Sequence, residues 1–76
     1  MDNSILKNVK KIYFIGIGGI SMSAIALILK KRGFEVCGSD FSENEEVLKL
    51  KSSGINVNIG HDAKNITDDI DLVVYS

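Results

Sequence analysis

The chain has 76 residues and a formal net charge of −1, with 45% hydrophobic and 25% charged residues, the composition of an ordinary globular domain. That balance gives no electrostatic ground for a nucleic acid or an anionic membrane as partner. The single cysteine, Cys37, excludes an internal disulfide and fits a reducing cytoplasm.

Residues 1–11 mix Asp2, Asn3 and three lysines with little apolar content, unlike the apolar stretch of a signal peptide. No run reaches the roughly 18 apolar residues of a membrane span. Ile12, Tyr13, Phe14 and Ile15 form a short β-branched and aromatic run that ends at Gly16, which predicts a strand buried on both faces. A helical period begins at Gly19 and places Ile20, Ala24, Leu27 and Ile28 on one face. Lys30, Lys31 and Arg32 suit its negative end, and Gly33 supplies a left-handed cap.

Phe34 to Cys37 predicts a second strand, followed by a turn at Gly38, Ser39 and Asp40. Ser42, three residues before Glu45, predicts the capping box of a second helix with Val47, Leu48 and Leu50 on its apolar side and Gly54 at its end. Ile55, Val57 and Ile59 alternate with Asn56 and Asn58, as in a half-exposed edge strand. A loop at Gly60, His61 and Asp62 leads to a weak helical turn over residues 63–66. Asp71 to Tyr75 is a fourth strand, after which a covering helix would be expected. The fold class is therefore α/β: one domain over residues 1–76, a Rossmann-like parallel sheet of expected order 3-2-1-4 with flanking helices, truncated after the fourth strand.

The segment 12–26 is a strand, a glycine turn and a helix, the arrangement that cradles phosphate. Gly16 permits the sharp exit from the strand, and Gly18 lets backbone approach a pyrophosphate. The third glycine of the dinucleotide fingerprint is replaced by Ser21, whose hydroxyl lies near the phosphate position. A valine at Gly18 is expected to abolish nucleotide binding and leave the domain folded. The alternative is that the glycines only make a tight turn. A Walker loop requires Gly-Lys-Ser/Thr, which is absent, so ATP is not the ligand of this loop. Asp40, at the end of the second strand, can accept from a ribose hydroxyl or stand as a solvated turn aspartate. His61 reads as a surface residue or a ligand contact at the same edge, and Cys37 as a packed, inert thiol. Asp68, Asp69 and Asp71 read as a solvated loop, since a metal site draws ligands from several elements.

The run from Phe14 through Gly16, Gly18, Gly19, Met22 and Ser23, with Ala26, Gly38-Ser39-Asp40 and Gly60-His61-Asp62, resembles the N-terminal domain of the Mur ligases of peptidoglycan synthesis. The resemblance covers nearly the whole chain; that family often carries glycine where Ser21 stands. It implies that the domain binds the UDP moiety of UDP-N-acetylmuramate. Gly16, Gly18, Gly19, Ser21, Met22 and Ser23 would then lie at the pyrophosphate. Ser39 and Asp40 would lie near the uridine, and His61 and Ser76 along the same rim. It further implies a cytoplasmic enzyme whose remaining ligase domains use ATP and Mg to activate a carboxylate as an acyl phosphate for attack by an amine. This chain itself carries no catalytic residue, metal ligand or cofactor on that reading. The alternatives are an NAD-binding Rossmann domain of a dehydrogenase, or a free-standing nucleotide-sensing module.

Overall fold

The computed structural model describes residues 7–76; the start of the polar 1–11 segment lies outside the described residues. The elements are β1 (Lys11–Ile15), α1 (Ile20–Lys31), β2 (Glu35–Asp40), α2 (Glu45–Ser52), β3 (Asn56–Ile59), a 3-10 turn (Ala63–Asn65) and β4 (Leu72–Val74). All strand pairs are parallel and the sheet order is β3-β2-β1-β4, as the alternation of strands and helices predicts. Among the described residues no helix is long and apolar enough to cross a membrane.

β1 is central and buried on both faces. Ile12 and Phe14 are fully enclosed in a core with Ile17, Ala26, Val36, Leu50 and Ile55, while Tyr13 is buried on the opposite face. On β2, Val36 and Gly38 sit level with Ile12 and Phe14. The strand runs on through Asp40 rather than turning at Gly38. A Cβ at Gly38 would stand 2.4 Å from the Phe14 carbonyl oxygen and 2.9 Å from Ile17 Cδ1, so this glycine serves close packing inside a strand.

The buried side of α1 differs from the expected one. Ser23 and Ala26 are buried, with Met22, Leu27 and Leu29 packed against the core. Ile20 is 83% exposed and Ile28 53%. The helix is apolar nearly all round, so periodicity selects no face; the small side chains Ser23 and Ala26 allow the closest approach and decide it.

Both helices end alike. Gly33 and Gly54 follow the C-caps with φ of +98° and +85°. Phe34 N–H donates to the Leu29 carbonyl and Ile55 N–H to that of Leu50, the long bond of a Schellman motif, and each pair also joins the core. At the start of α2 the cap is Asn44, whose Oδ1 accepts from Val47 N–H at 2.9 Å. Ser42 is two residues too early for that role. Leu48, expected on the apolar side, is half exposed, whereas Val47 and Leu50 are fully buried.

β4 is shorter than expected because Asp71 acts as a clamp before it. Its carboxylate accepts from Lys10 N–H at 2.8 Å and Lys11 N–H at 3.0 Å, and its own N–H donates to the Lys11 carbonyl at 2.9 Å. Asp69 bonds Thr67 Oγ1 and Lys11 Nζ, so two of the three aspartates are partnered though exposed. The N–H groups of Lys11 and then Lys10 hold the Asp71 carboxyl below its ordinary range; the Thr67 hydroxyl and then Lys11 do so for Asp69. Groups depressed in the folded state bind protons more tightly when unfolded. Their contribution is complete above about pH 4, the ordinary aspartate value, and drains away as pH falls through the lower folded values. Thermal melts followed by circular dichroism should show the midpoint dropping as pH falls below about 4, with a shallower drop in Asp71→Asn.

Candidate functional site

The chain leaves β1 through Gly16, at φ +80°, and turns at once against the end of β2. The Ser39 carbonyl accepts both Gly16 N–H at 2.9 Å and Ile17 N–H at 3.0 Å. Gly18 N–H donates to Asp40 Oδ2 at 2.8 Å, and Gly19 N–H to the Gly16 carbonyl at 3.2 Å. Four successive loop amides are thus committed within the protein. Asn44 adds a bond from Nδ2 to the Gly18 carbonyl at 3.3 Å. A Cβ at Gly18 would fall 2.8 Å from both Asp40 Oδ2 and Val47 Cγ2 and 3.1 Å from Asn44 Nδ2. The close approach that excludes a side chain there is made by the end of β2, the cap Asn44 and the first turn of α2. A valine at this position would therefore disturb the packing as well as any ligand.

The open amides lie one step further on. Gly19 is the N-cap of α1 and has no side chain to cap with; the first bonded helical amide is that of Ser23, to the Gly19 carbonyl at 2.8 Å. The N–H groups of Ile20, Ser21 and Met22 therefore have no acceptor among the described residues. Ile20 and Ser21 are exposed, and no acidic residue stands in this first turn. α2 is built the opposite way, capped by Asn44 and carrying Glu45 and Glu46 in its first turn. α1 has neither a side-chain cap nor an acid of its own in that turn. The nearest carboxylates come from outside it, Asp40 on the Gly18 amide and Glu46 on Ser23 Oγ, and the open amides beyond them are the kind of group that receives an anion.

Around this end the carboxyl edge of the sheet forms a rim. Gly60 N–H donates to the Asp40 carbonyl at 2.7 Å and brings the following loop alongside. His61 Nδ1 lies 2.7 Å from Ser39 Oγ, and its ring meets Phe41 edge-on at a centroid separation of 4.2 Å. Whichever partner carries the shared proton, Nδ1 is engaged and Nε2 is the ring nitrogen left for a ligand. Asp40 keeps Oδ1, whose only hydrogen-bond approach among the described residues is from Ser42 N–H at 3.5 Å, beyond a good bond.

The structure thus brings Gly16, Gly18, Gly19, Ser39, Asp40 and His61 into one network, with Ser21 and Met22 at the head of α1. Ser23 is buried, and its Oγ lies 3.0 Å from the Ile20 carbonyl and 3.3 Å from Glu46 Oε2, which ties α1 to α2. Ser76 stands two residues past the Phe14–Val74 pair, on the far side of β1 from Asp40. Phe41, Asn44 and Val47 complete the site and were not singled out from sequence; an asparagine directly before Glu45-Glu46 was the readable signal for the cap. Burial pushes the Cys37 thiol up, which makes it a poor nucleophile.

The family model described as "Mur ligase family, catalytic domain" matches residues 11–76. This chain belongs to the Mur ligase family. Among its relatives is a UDP-N-acetylmuramate–L-alanine ligase of Clostridium kluyveri, 54% identical over the whole chain and 16% of the relative's length. Enzymes of the same name from Clostridium botulinum (57% identical, 88% of this chain, 14% of the relative) and Brachyspira hyodysenteriae (53%, 92% and 15%) also match. The chain therefore spans about a sixth of the length of these curated relatives.

In this Mur ligase domain Gly18→Ala should cost about 1–3 kcal/mol of stability, the scale of overpacking a tight site. Asn44→Ala should cost about 0.5–2 kcal/mol through the lost cap. Urea denaturation of both variants checks the two values, and a neutral Gly18→Ala would refute the packing account of the loop.

Proposed function

We propose that this domain grips the nucleoside-diphosphate end of UDP-N-acetylmuramate, as the N-terminal part of a cytoplasmic ligase that joins L-alanine to that substrate. The observation that carries this reading is the uncapped, acid-free first turn of α1, whose three open amides stand at the carboxyl edge of a parallel sheet. Ligands of open α/β sheets bind at that edge. A pyrophosphate there would satisfy the Ile20, Ser21 and Met22 amides and the helix dipole together. Asp40 Oδ1 offers an acceptor to a ribose hydroxyl, and His61 Nε2 a polar contact beyond it. Such contacts lie far from the reacting carboxylate, so their binding energy goes into positioning.

The residues present do not fit ATP and magnesium. The glycines are followed by Ile20, Ser21 and Met22, with no lysine to reach the outer phosphates. On this reading the amide-forming chemistry, with ATP and Mg, belongs to the remaining ligase domains, and no step of it runs through this chain.

Calorimetric titration with UDP-N-acetylmuramate and with NAD tests the reading. Binding of the UDP-sugar and silence toward NAD are expected; tight NAD binding without a response to the UDP-sugar would overturn it in favour of a dehydrogenase domain. Ser21→Glu separates stability from binding. An acid in the first turn should raise helix stability by about 0.3–1 kcal/mol while weakening the UDP-sugar, through charge repulsion at the same amides.

A further inference from the structure

We propose that Phe41 is the base-stacking platform of this site, an inference that rests on the nucleoside-diphosphate reading above. Phe41 is 79% exposed and directly follows Asp40 on the rim. Tyr75, the other strongly exposed aromatic at 72%, has no ring contact among the described residues. Phe41 is held by His61 at 4.2 Å and an interplanar angle of 74°, and His61 is held in turn by Ser39 Oγ. A buried hydroxyl is thus used to orient an exposed pair of rings, an arrangement that adds nothing to the core.

An edge-to-face contact occupies at most one face of the Phe41 ring, so at least one face stays open to a planar partner. The rim brings together the kinds of group a nucleotide needs. Gly18 N–H, two residues before the first open amide at Ile20, donates to Asp40, and Phe41 is the next residue. On this reading the open amides take the pyrophosphate, Asp40 Oδ1 a ribose hydroxyl and the Phe41 ring the base. Stacking tolerates any base, so Phe41 sets affinity, and His61 Nε2 beside it is the group placed to read the base edge.

The test uses the 76-residue chain with UDP and inorganic pyrophosphate as probes. Phe41→Ala should weaken UDP about thirtyfold, the middle of the range for loss of one base–aromatic stack, and leave pyrophosphate binding unchanged. The chain contains no tryptophan, so Phe41→Trp supplies a single reporter that should retain UDP binding and be quenched by UDP. If Phe41→Ala binds UDP as well as the unaltered chain, or the tryptophan ignores bound UDP, the platform is refuted while the nucleoside-diphosphate reading stands. Equal losses for UDP and pyrophosphate would also refute it, since Phe41 would then only shape the rim. If the unaltered chain binds neither probe, the parent reading falls and the platform with it.

Discussion

The end of β2 holds the glycine loop, and the rest of the site depends on that hold. The Ser39 carbonyl takes two loop amides and the Asp40 carboxylate a third. Buried or half-buried backbone donors must find partners, and here the neighbouring strand provides them in place of a ligand. The loop is therefore complete in itself. It sets α1 so that the next three amides, which no group among the described residues satisfies, open at the carboxyl edge of the sheet. Ser39 serves twice, holding the loop through its carbonyl and His61 through its hydroxyl.

This division of labour recasts the glycines. The pattern suggested backbone laid bare for an anion. Gly18 instead makes room for Asp40, Asn44 and Val47, and Gly38 makes room for Ile17 and the Phe14 carbonyl. What faces outward is the helix end that Gly19 leaves uncapped. The contrast with α2, capped by Asn44 and lined with Glu45 and Glu46, shows that the chain can finish a helix N-terminus when a finished one is needed.

Much of the architecture was legible before the structure. Alternating apolar runs and helical periods predicted the parallel order β3-β2-β1-β4, and the glycine turn, the left-handed cap at Gly33 and the edge position of β3 followed from local chemistry. Tertiary choices were not legible. An almost wholly apolar α1 concealed which face is buried, because small residues rather than periodicity decided it. Ser42 mimicked a capping box two positions too early, and Asp71 looked solvated because its partners, Lys10 and Lys11, are some 60 residues distant in sequence. Within the site, the edge and the helix end were readable, and so was Asn44 as a cap. The place of Phe41, the bond from Asn44 to the Gly18 carbonyl and the commitment of the Gly18 amide were not, since each depends on the β2–α2 segment folding back over the loop.

The contact of Gly18 with Asp40, Asn44 and Val47 also bears on how such a site can be redesigned. Residues that share partners do not change independently, and their effects fail to add. Replacing Asp40 would release the Gly18 amide and slacken the turn beneath α1. Changes at positions 18, 40 and 44 therefore have to be made together. The ring of Phe41 is held by His61 instead, so a substitution there does not remove the Gly18–Asp40 hydrogen bond.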